Sequence, residues 1–295
     1  PTALFLFVIS KFQGVASLGI NYGQVADNLP SPEKVASLLD SLKLTKVRIY
    51  DTNPQVLAAF ANSNAALIVT VENAMLPALA DPQQALQWVA ARIHPHFPAT
   101  RISGIAVGNE VYKGDGDTAL IAALVPAMVA VRNALTHLGM ASVHVSSPHS
   151  LLVLAASYPS SAGCFRPEIA PYMSQFLQFL SSTGAPFWIN AYTYFAYQAD
   201  SAAIPLDYAL LAPGGAGTTD PVTNKRYDNM LYAEVDAVVA AISRMGFGGV
   251  EVQVTETGWP SRGDGDEAAA TVEVQVTETG WPSRGDGDEA AATVE

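Results

Sequence analysis

Two glutamates stand among polar and small residues at the ends of short apolar runs. Glu110 lies in "VGNEVY" and Glu256 in "VTETGWP", and each run before them is typical of a β-strand. A pair of carboxyl groups can cleave a glycosidic bond. One of them, kept protonated, gives its proton to the departing oxygen, while the other, ionised, attacks the anomeric carbon or activates a water. Two glutamates alone do not establish this chemistry, because ordinary carboxylates at the rim of a fold would give the same pattern.

Aromatic and amide residues near the same strand ends favour a sugar-binding interpretation. Aromatic residues that could stack on sugar rings are Tyr22, Tyr50, Tyr192, Tyr194, Phe195, Tyr197 and Trp259. We expect Tyr194 and Tyr197 to pack within loops instead. Candidate partners for sugar hydroxyls are Asn109, Asn190 and Asp51. Glu72 and Asn73, after the third predicted strand, could reach a more distant sugar, although a solvated rim is the simpler interpretation.

The elements that must position these residues alternate along the chain. Strands are predicted at 18–23, 46–51, 66–73, 102–110, 141–149, 186–194 and 250–258. Helical patterns lie between them, among them one that begins at Ser31-Pro32, where a cap residue precedes a proline, and others at 117–138, 166–182 and 229–245. This alternation predicts an α/β fold with repeated β/α units around a parallel sheet.

A (β/α)8 TIM barrel is favoured over a doubly wound sheet. Polar and aromatic residues follow nearly every predicted strand, whereas a doubly wound sheet would collect them at one crevice. The fourth and seventh strands of a barrel lie on opposite sides of its mouth. We therefore expect Glu110 and Glu256 to face each other across a bound substrate.

Composition excludes some classes of partner. With 27 acidic and 15 basic residues the net charge is −12, which argues against binding to nucleic acid. Cys164 is the single cysteine, so no intrachain disulfide can form. Residues 1–17 are predicted to be the remnant of a secretory signal, since the apolar run from Ala3 to Ile9 is shorter than the roughly twenty residues that a bilayer span needs. A buried first strand is the alternative.

Five motifs together resemble the plant endo-β-1,3-glucanases of glycoside hydrolase family 17. They are "GINYGQVADNLPSP", "VRIYD", "GIAVGNEVY", "INAYTYFAY" and "VTETGWPSRGD", and the resemblance runs from about Leu18 to Glu273. It implies a (β/α)8 barrel that hydrolyses internal β-1,3 bonds of callose-like glucans with retention of configuration, without a metal or organic cofactor. Such a protein would be a secreted monomer of the cell wall or apoplast, with a role in plant defence or in development and β-1,3-glucan as its partner.

The resemblance also assigns roles to residues of this chain. Glu110 corresponds to the proton donor of the family and Glu256 to its nucleophile. Residues that correspond to its substrate cleft are Tyr22, Asn109, Asn190, Tyr192 and Phe195. Retention requires the two carboxyl groups to be about 5 to 5.5 Å apart. Asn109 is suited to bind the sugar 2-hydroxyl, and Tyr192 to hold the nucleophile ionised.

The end of the chain departs from the family. Residues 250–271 return letter for letter at 272–293, so that Glu278 repeats Glu256. This second copy stands where the family has its eighth strand and helix. The sequence thus predicts a domain over 18–273 that is truncated after the seventh strand, with 274–295 lacking a structural role. Use of 272–277 as an eighth strand is the alternative. The departure also leaves open an inactive glucan-binding protein and a membrane anchor carried by a missing C-terminus.

Overall fold

The parallel strands of the fold lie side by side in the order in which they occur along the chain. The structure is a computed structural model that describes residues 19–25, 29–112, 118–212 and 217–259. In the described part the strands are β1 (Ile20–Tyr22), β2 (Lys46–Ile49), β3 (Ala66–Val71), β4 (Ile102–Val107), β5 (His144–Ser146), β6 (Pro148–Ser150), β7 (Leu154–Ala156), β8 (Cys164–Phe165), β9 (Phe187–Asn190), β10 (Thr218–Thr219), β11 (Arg226–Tyr227) and β12 (Val252–Glu256). Strands β1 to β5 form one parallel sheet in sequence order, and β6, β9 and β12 form a second.

The two parallel sheets are one wall interrupted at Ser147. That residue alone separates β5 from β6, so β4 pairs on one side of the break and β9 on the other. The predicted fifth strand is therefore present but split. Together the strands run in the order expected for a barrel, from β1 at one edge to β12 at the other.

Helices connect the parallel strands. They are α1 (Pro32–Ser41), α2 (Pro54–Ala59), α3 (Leu76–Leu79), α4 (Pro82–Arg92), α5 (Thr118–His137), α6 (Ala170–Thr183), α7 (Thr193–Ala199), α8 (Leu206–Ala209) and α9 (Met230–Arg244). Local sequence explains several of their starts. Asn53 and Asp81 cap α2 and α4 with their side chains, each just before a proline that needs no hydrogen-bond partner.

Helix α5 has the length and apolar composition of a membrane span. Leu124, Met128, Val131 and Leu135 nevertheless lie on a buried face. This face packs in the main core, between the sheet and the neighbouring helices α3, α4 and α6. Core packing explains why the helix is apolar.

The interior of the barrel is filled by large side chains opposite small ones. Trp188 on β9 crosses the interior towards Gly104 on β4, where an added Cβ would lie 2.9 Å from the indole ring. The indole nitrogen donates to Gln253 on β12 at 3.2 Å. Glycine is therefore needed at position 104 to make room for the tryptophan.

The structure corrects the sequence prediction at several boundaries. The strand predicted at 186–194 ends at Asn190, and helix α7 begins at Thr193. Two short antiparallel pairs, β7 with β8 and β10 with β11, were not predicted. The predicted signal remnant at 1–17, the second sequence copy at 274–295 and the truncation after the seventh strand concern residues that lie outside the described ones.

Candidate active site

Four strands deliver the polar residues that meet at the mouth of the barrel. Arg48 lies on β2, Glu110 follows β4, Asn190 ends β9 and Glu256 ends β12. These are the carboxyl ends of parallel strands, where barrel enzymes carry their sites. The structure thus brings together both glutamates, with a cation and an amide between them.

Arg48 is the centre of this group. Its side chain is fully buried, and Nη1 donates to Glu256 Oε1 at 2.7 Å and to Asn190 Oδ1 at 3.3 Å. Nη2 donates to Asn109 Oδ1 at 2.9 Å. A buried carboxylate is costly unless it is paired and hydrogen-bonded. Arg48 therefore gives the buried Glu256 carboxyl group an ion-pair partner inside the barrel.

Asn190 connects the two glutamates. Its Nδ2 donates to Glu110 Oε1 at 2.8 Å and to Asn109 Oδ1 at 3.2 Å. Its Oδ1 accepts from Arg48 and from the hydroxyl of Thr255 at 2.9 Å. Because both ends of the amide are engaged, its orientation is fixed. Glu110 and Glu256 are consequently members of one hydrogen-bonded network.

The backbone that carries Glu110 is unusual. Gly108 and Glu110 both have positive φ, +72° and +51°, and the amide of Glu110 donates to the carbonyl of Pro148 at 2.8 Å. A glutamate rarely adopts this left-handed conformation, and such residues cluster at functional sites. The turn aims Glu110 away from the line of β4 and towards Asn190.

Two tyrosines flank Glu256. The hydroxyl of Tyr192 donates to Glu256 Oε2 at 2.8 Å, and the ring of Tyr50 lies 4.9 Å from the guanidinium carbon of Arg48. Burial, and then the negative charge of Glu256, raise the pKa of both tyrosines. Both hydroxyls therefore remain protonated and can act as donors at any physiological pH.

The predicted aromatic residues divide into exposed and buried ones. Phe195 is 59% exposed, with its ring 5.5 Å from that of Tyr192, and is available to a ligand. Trp259, predicted to bind sugar, is instead 4% exposed and packs edge-on against Tyr194. Tyr194 and Tyr197 pack around it, as the sequence predicted. In this structure the ring of Trp259 thus packs against protein side chains beneath the rim.

Other predicted contacts at the rim are already occupied. Tyr22 is 5% exposed, and burial and the nearby Asp51 raise its pKa. Both carboxylate oxygens of Asp51 accept from Gln24, at 2.9 and 3.0 Å. The side chain of Asn73 is bound to the main chain of Asn109, whereas Glu72 is exposed. Asp51 and Asn73 are therefore engaged in hydrogen bonds that organise the rim.

Arg48 is the functional residue that sequence analysis missed. A weak signal was present, since an arginine inside the apolar strand "KVRIYD" has to be buried with a partner of opposite charge. Among the described residues, no three His, Cys, Asp or Glu side chains are grouped so that they could hold a metal ion. The functional groups of the site are thus two carboxyl groups, one arginine, two side-chain amides and two tyrosines.

Comparisons with known proteins identify the family of this chain. The model of the family "Glycosyl hydrolases family 17" matches residues 18–273. Glucan endo-1,3-beta-glucosidases 14 and 11 of Arabidopsis thaliana are 46% and 44% identical over 91% and 86% of this chain. The chain spans 68% and 60% of the length of these two relatives.

Solved structures give the same answer for the fold. CJP38, described as a beta-1,3-glucanase and allergen of Cryptomeria japonica pollen, superposes with a TM-score of 0.82 at 37% identity, covering 94% of this chain and 87% of its own. A structure from work on two plant beta-glucan endohydrolases gives 0.77 at 34% identity, covering 83% and 78%. With both the family model and the fold matched, this chain is a (β/α)8 barrel protein that belongs to glycosyl hydrolases family 17.

Proposed function

We propose that this protein is a retaining endo-β-1,3-glucanase in which Glu110 is the acid and base and Glu256 is the nucleophile. The observation that supports the proposal most is the network in which Asn190 links Glu110 to the Arg48–Glu256 pair. The relatives named above are glucan endo-1,3-beta-glucosidases, which supports the choice of linkage.

In the first step the Glu256 carboxylate attacks the anomeric carbon. The bond from that carbon to the glycosidic oxygen breaks, and Glu110 gives its proton to the leaving oxygen. Arg48 and Tyr192 hold the two oxygens of Glu256 by hydrogen bonds of 2.7 and 2.8 Å, which fixes the carboxylate for attack. The products are a shortened glucan and a covalent glycosyl-enzyme.

In the second step the deprotonated Glu110 acts as a base. It takes a proton from a water molecule, whose oxygen attacks the anomeric carbon and displaces the Glu256 carboxylate. One water is consumed per bond, Glu110 is protonated again, and two inversions give net retention. Both carboxyl groups are thereby ready for the next cycle.

Two further side chains fit a role in holding the substrate. Asn109 engages its Oδ1 with Arg48 and Asn190, which leaves its Nδ2 without an acceptor among the described residues and available to a sugar hydroxyl. Phe195 offers an exposed ring beside Tyr192. We extend the proposal to a secreted monomer acting on wall glucan, supported by the apolar run from Ala3 to Ile9 and by the family resemblance.

The repeated sequence supplies a matched control for the catalytic test. Glu110→Gln and Glu256→Gln should each lower release of reducing ends from laminarin by at least about 10²-fold. Glu278→Gln, which changes a glutamate with the same neighbours in sequence, should leave the rate unchanged. Proton NMR of the first product should show the β-anomer. Full activity of either active-site variant, or an α-anomer first, would contradict the proposal.

The alternative is a protein that binds glucan without cleaving it. Incubation of the chain with laminarin distinguishes the two, because binding without new reducing ends would favour the inactive form. The network that holds Glu110 and Glu256 through Asn190 and Arg48 supports hydrolysis.

A further inference from the structure

Asn73 lies at the point where β3 ends and makes two hydrogen bonds to one residue of the next strand unit. Its Oδ1 accepts from the amide of Asn109 at 2.7 Å, and its Nδ2 donates to the carbonyl of Asn109 at 3.0 Å. Asn109 immediately precedes Glu110. One side-chain amide therefore holds both peptide groups that flank residue 109.

The side chain of Asn73 makes the hydrogen bonds to Asn109 that a neighbouring strand would otherwise make with its main chain. The last main-chain contact between these strands is from the amide of Gly108 to the carbonyl of Val71, at 3.0 Å. Beyond it the chain turns away from β4 in a 3-10 turn, Asn73–Met75. A continuing strand would have offered Asn109 one acceptor and one donor. The amide of Asn73 provides both.

This contact acts on a turn that has little freedom. A Cβ added at Gly108 would lie 2.9 Å from Asn73 Oδ1 and 2.8 Å from a methyl of Val111, so the backbone can approach only as glycine. On the other side the amide of Glu110 is held by Pro148. Glu110 keeps its left-handed backbone between these two anchors, and a strained conformation persists only where its surroundings determine it.

We propose that Asn73 is a positioning residue for the proton donor. It fixes the Asn109–Glu110 peptide, and through it sets the direction from which the carboxyl of Glu110 approaches the leaving oxygen. This inference rests on the proposed function, since it assumes that Glu110 is the acid. Asn73 itself contacts neither the substrate nor the reacting atoms in this assignment.

The test uses two substrates that differ in their need for an acid. Departure of a sugar hydroxyl from laminarin requires protonation, whereas departure of dinitrophenolate from a dinitrophenyl β-laminaribioside does not. Asn73→Leu should lower kcat/KM for laminarin by about tenfold to hundredfold, the range expected for a misplaced catalytic group. The kcat/KM for the aryl substrate should change by less than about threefold, because its leaving group departs without a proton from Glu110. Asn73→Asp keeps the acceptor for the Asn109 amide and should restore part of the laminarin rate.

A second asparagine controls for loss of stability. Asn229 caps α9 through a bond to the amide of Tyr232, at 3.1 Å, and takes no part in the site. Asn229→Leu should lower the Tm while leaving both kcat/KM values unchanged when they are expressed per folded molecule. Equal losses on both substrates in Asn73→Leu, or no loss on laminarin, would overturn the proposal. Failure of the proposed function would show itself separately, as wild-type laminarin activity that does not depend on Glu110.

Discussion

At the residue scale, Arg48 connects sequence positions that no local pattern relates. It bonds Glu256 across 208 positions and Asn190 across 142. The place of the two glutamates at the barrel mouth could be predicted, because Glu110 follows β4 and Glu256 ends β12, each within a recognisable motif. The importance of Arg48 could not, because it depends on β9 and β12 closing against β2. The burial of Trp259 could not be predicted for a related reason, since the sequence near a strand end does not show which aromatic ring becomes buried.

Arg48 also gives the sharpest prediction at this scale. Arg48→Met should lower kcat by about 10²-fold or more, because the Glu256 carboxylate loses its strongest donor. It should also destabilise the fold by about 3–5 kcal/mol, since the carboxylate is left buried without its cation. Steady-state kinetics and thermal unfolding measure the two effects. Lys46→Met, which changes an exposed cation on the same strand, is the control and should alter neither. A variant at position 48 with normal kcat would show that Tyr192 alone suffices to hold Glu256.

At the scale of elements, the parallel strands were predictable and the insertions were not. Every predicted strand exists, because each is a run of buried apolar residues. The pairs β7–β8 and β10–β11 are short, with ladders of two or three residues that are too brief for a period-two pattern to emerge. They are held instead by contacts from distant elements. The Oγ of Ser160, for example, donates to the carbonyl of Ala233 in α9 at 2.8 Å.

The same helix contains a carboxyl group that makes stability depend on pH. Glu234 in α9 is 6% exposed, and burial raises its pKa to about 8 from an ordinary value of 4.5. Its Oε2 has no hydrogen-bond partner among the described residues. Between pH 4.5 and 8 the unfolded chain releases this proton while the folded chain retains it. The contribution of Glu234 to the free energy of unfolding is therefore greatest below pH 4.5, and it falls as the pH rises towards 8.

Glu234→Gln should remove this dependence. The free energy of unfolding of the wild type, measured relative to that of the variant, should fall by at most about 1.4 kcal/mol per pH unit across this window. Chemical denaturation of both proteins in one series of buffers measures the difference. The variant is the baseline for the wild type, because the two proteins share every other titrating group. Parallel curves would mean that Glu234 is solvated in solution.

At the scale of the whole molecule, the described part of the barrel has two edge strands, β1 and β12. In the described part, β1 pairs with β2 alone and β12 with β9 alone, so one strand position of an eight-stranded barrel remains between them. Unpaired strand edges promote aggregation, which makes this position important for solubility as well as for the cleft. Two predictions differ at this strand position. In one, residues 274–295 have no structural role. In the other, residues 272–277 form the eighth strand.

The exact repeat allows the two possibilities to be separated with single substitutions in identical local sequence. Val254 on β12 is 2% exposed, and Val276 is its counterpart in the second copy. Val254→Asp should destabilise the fold by several kcal/mol, on the order expected for burying an unpaired charge. Val276→Asp should leave the Tm unchanged if the copy has no structural role. A comparable loss in both variants would instead mean that the second copy is built into the barrel, because an aspartate disrupts only a position that the fold buries.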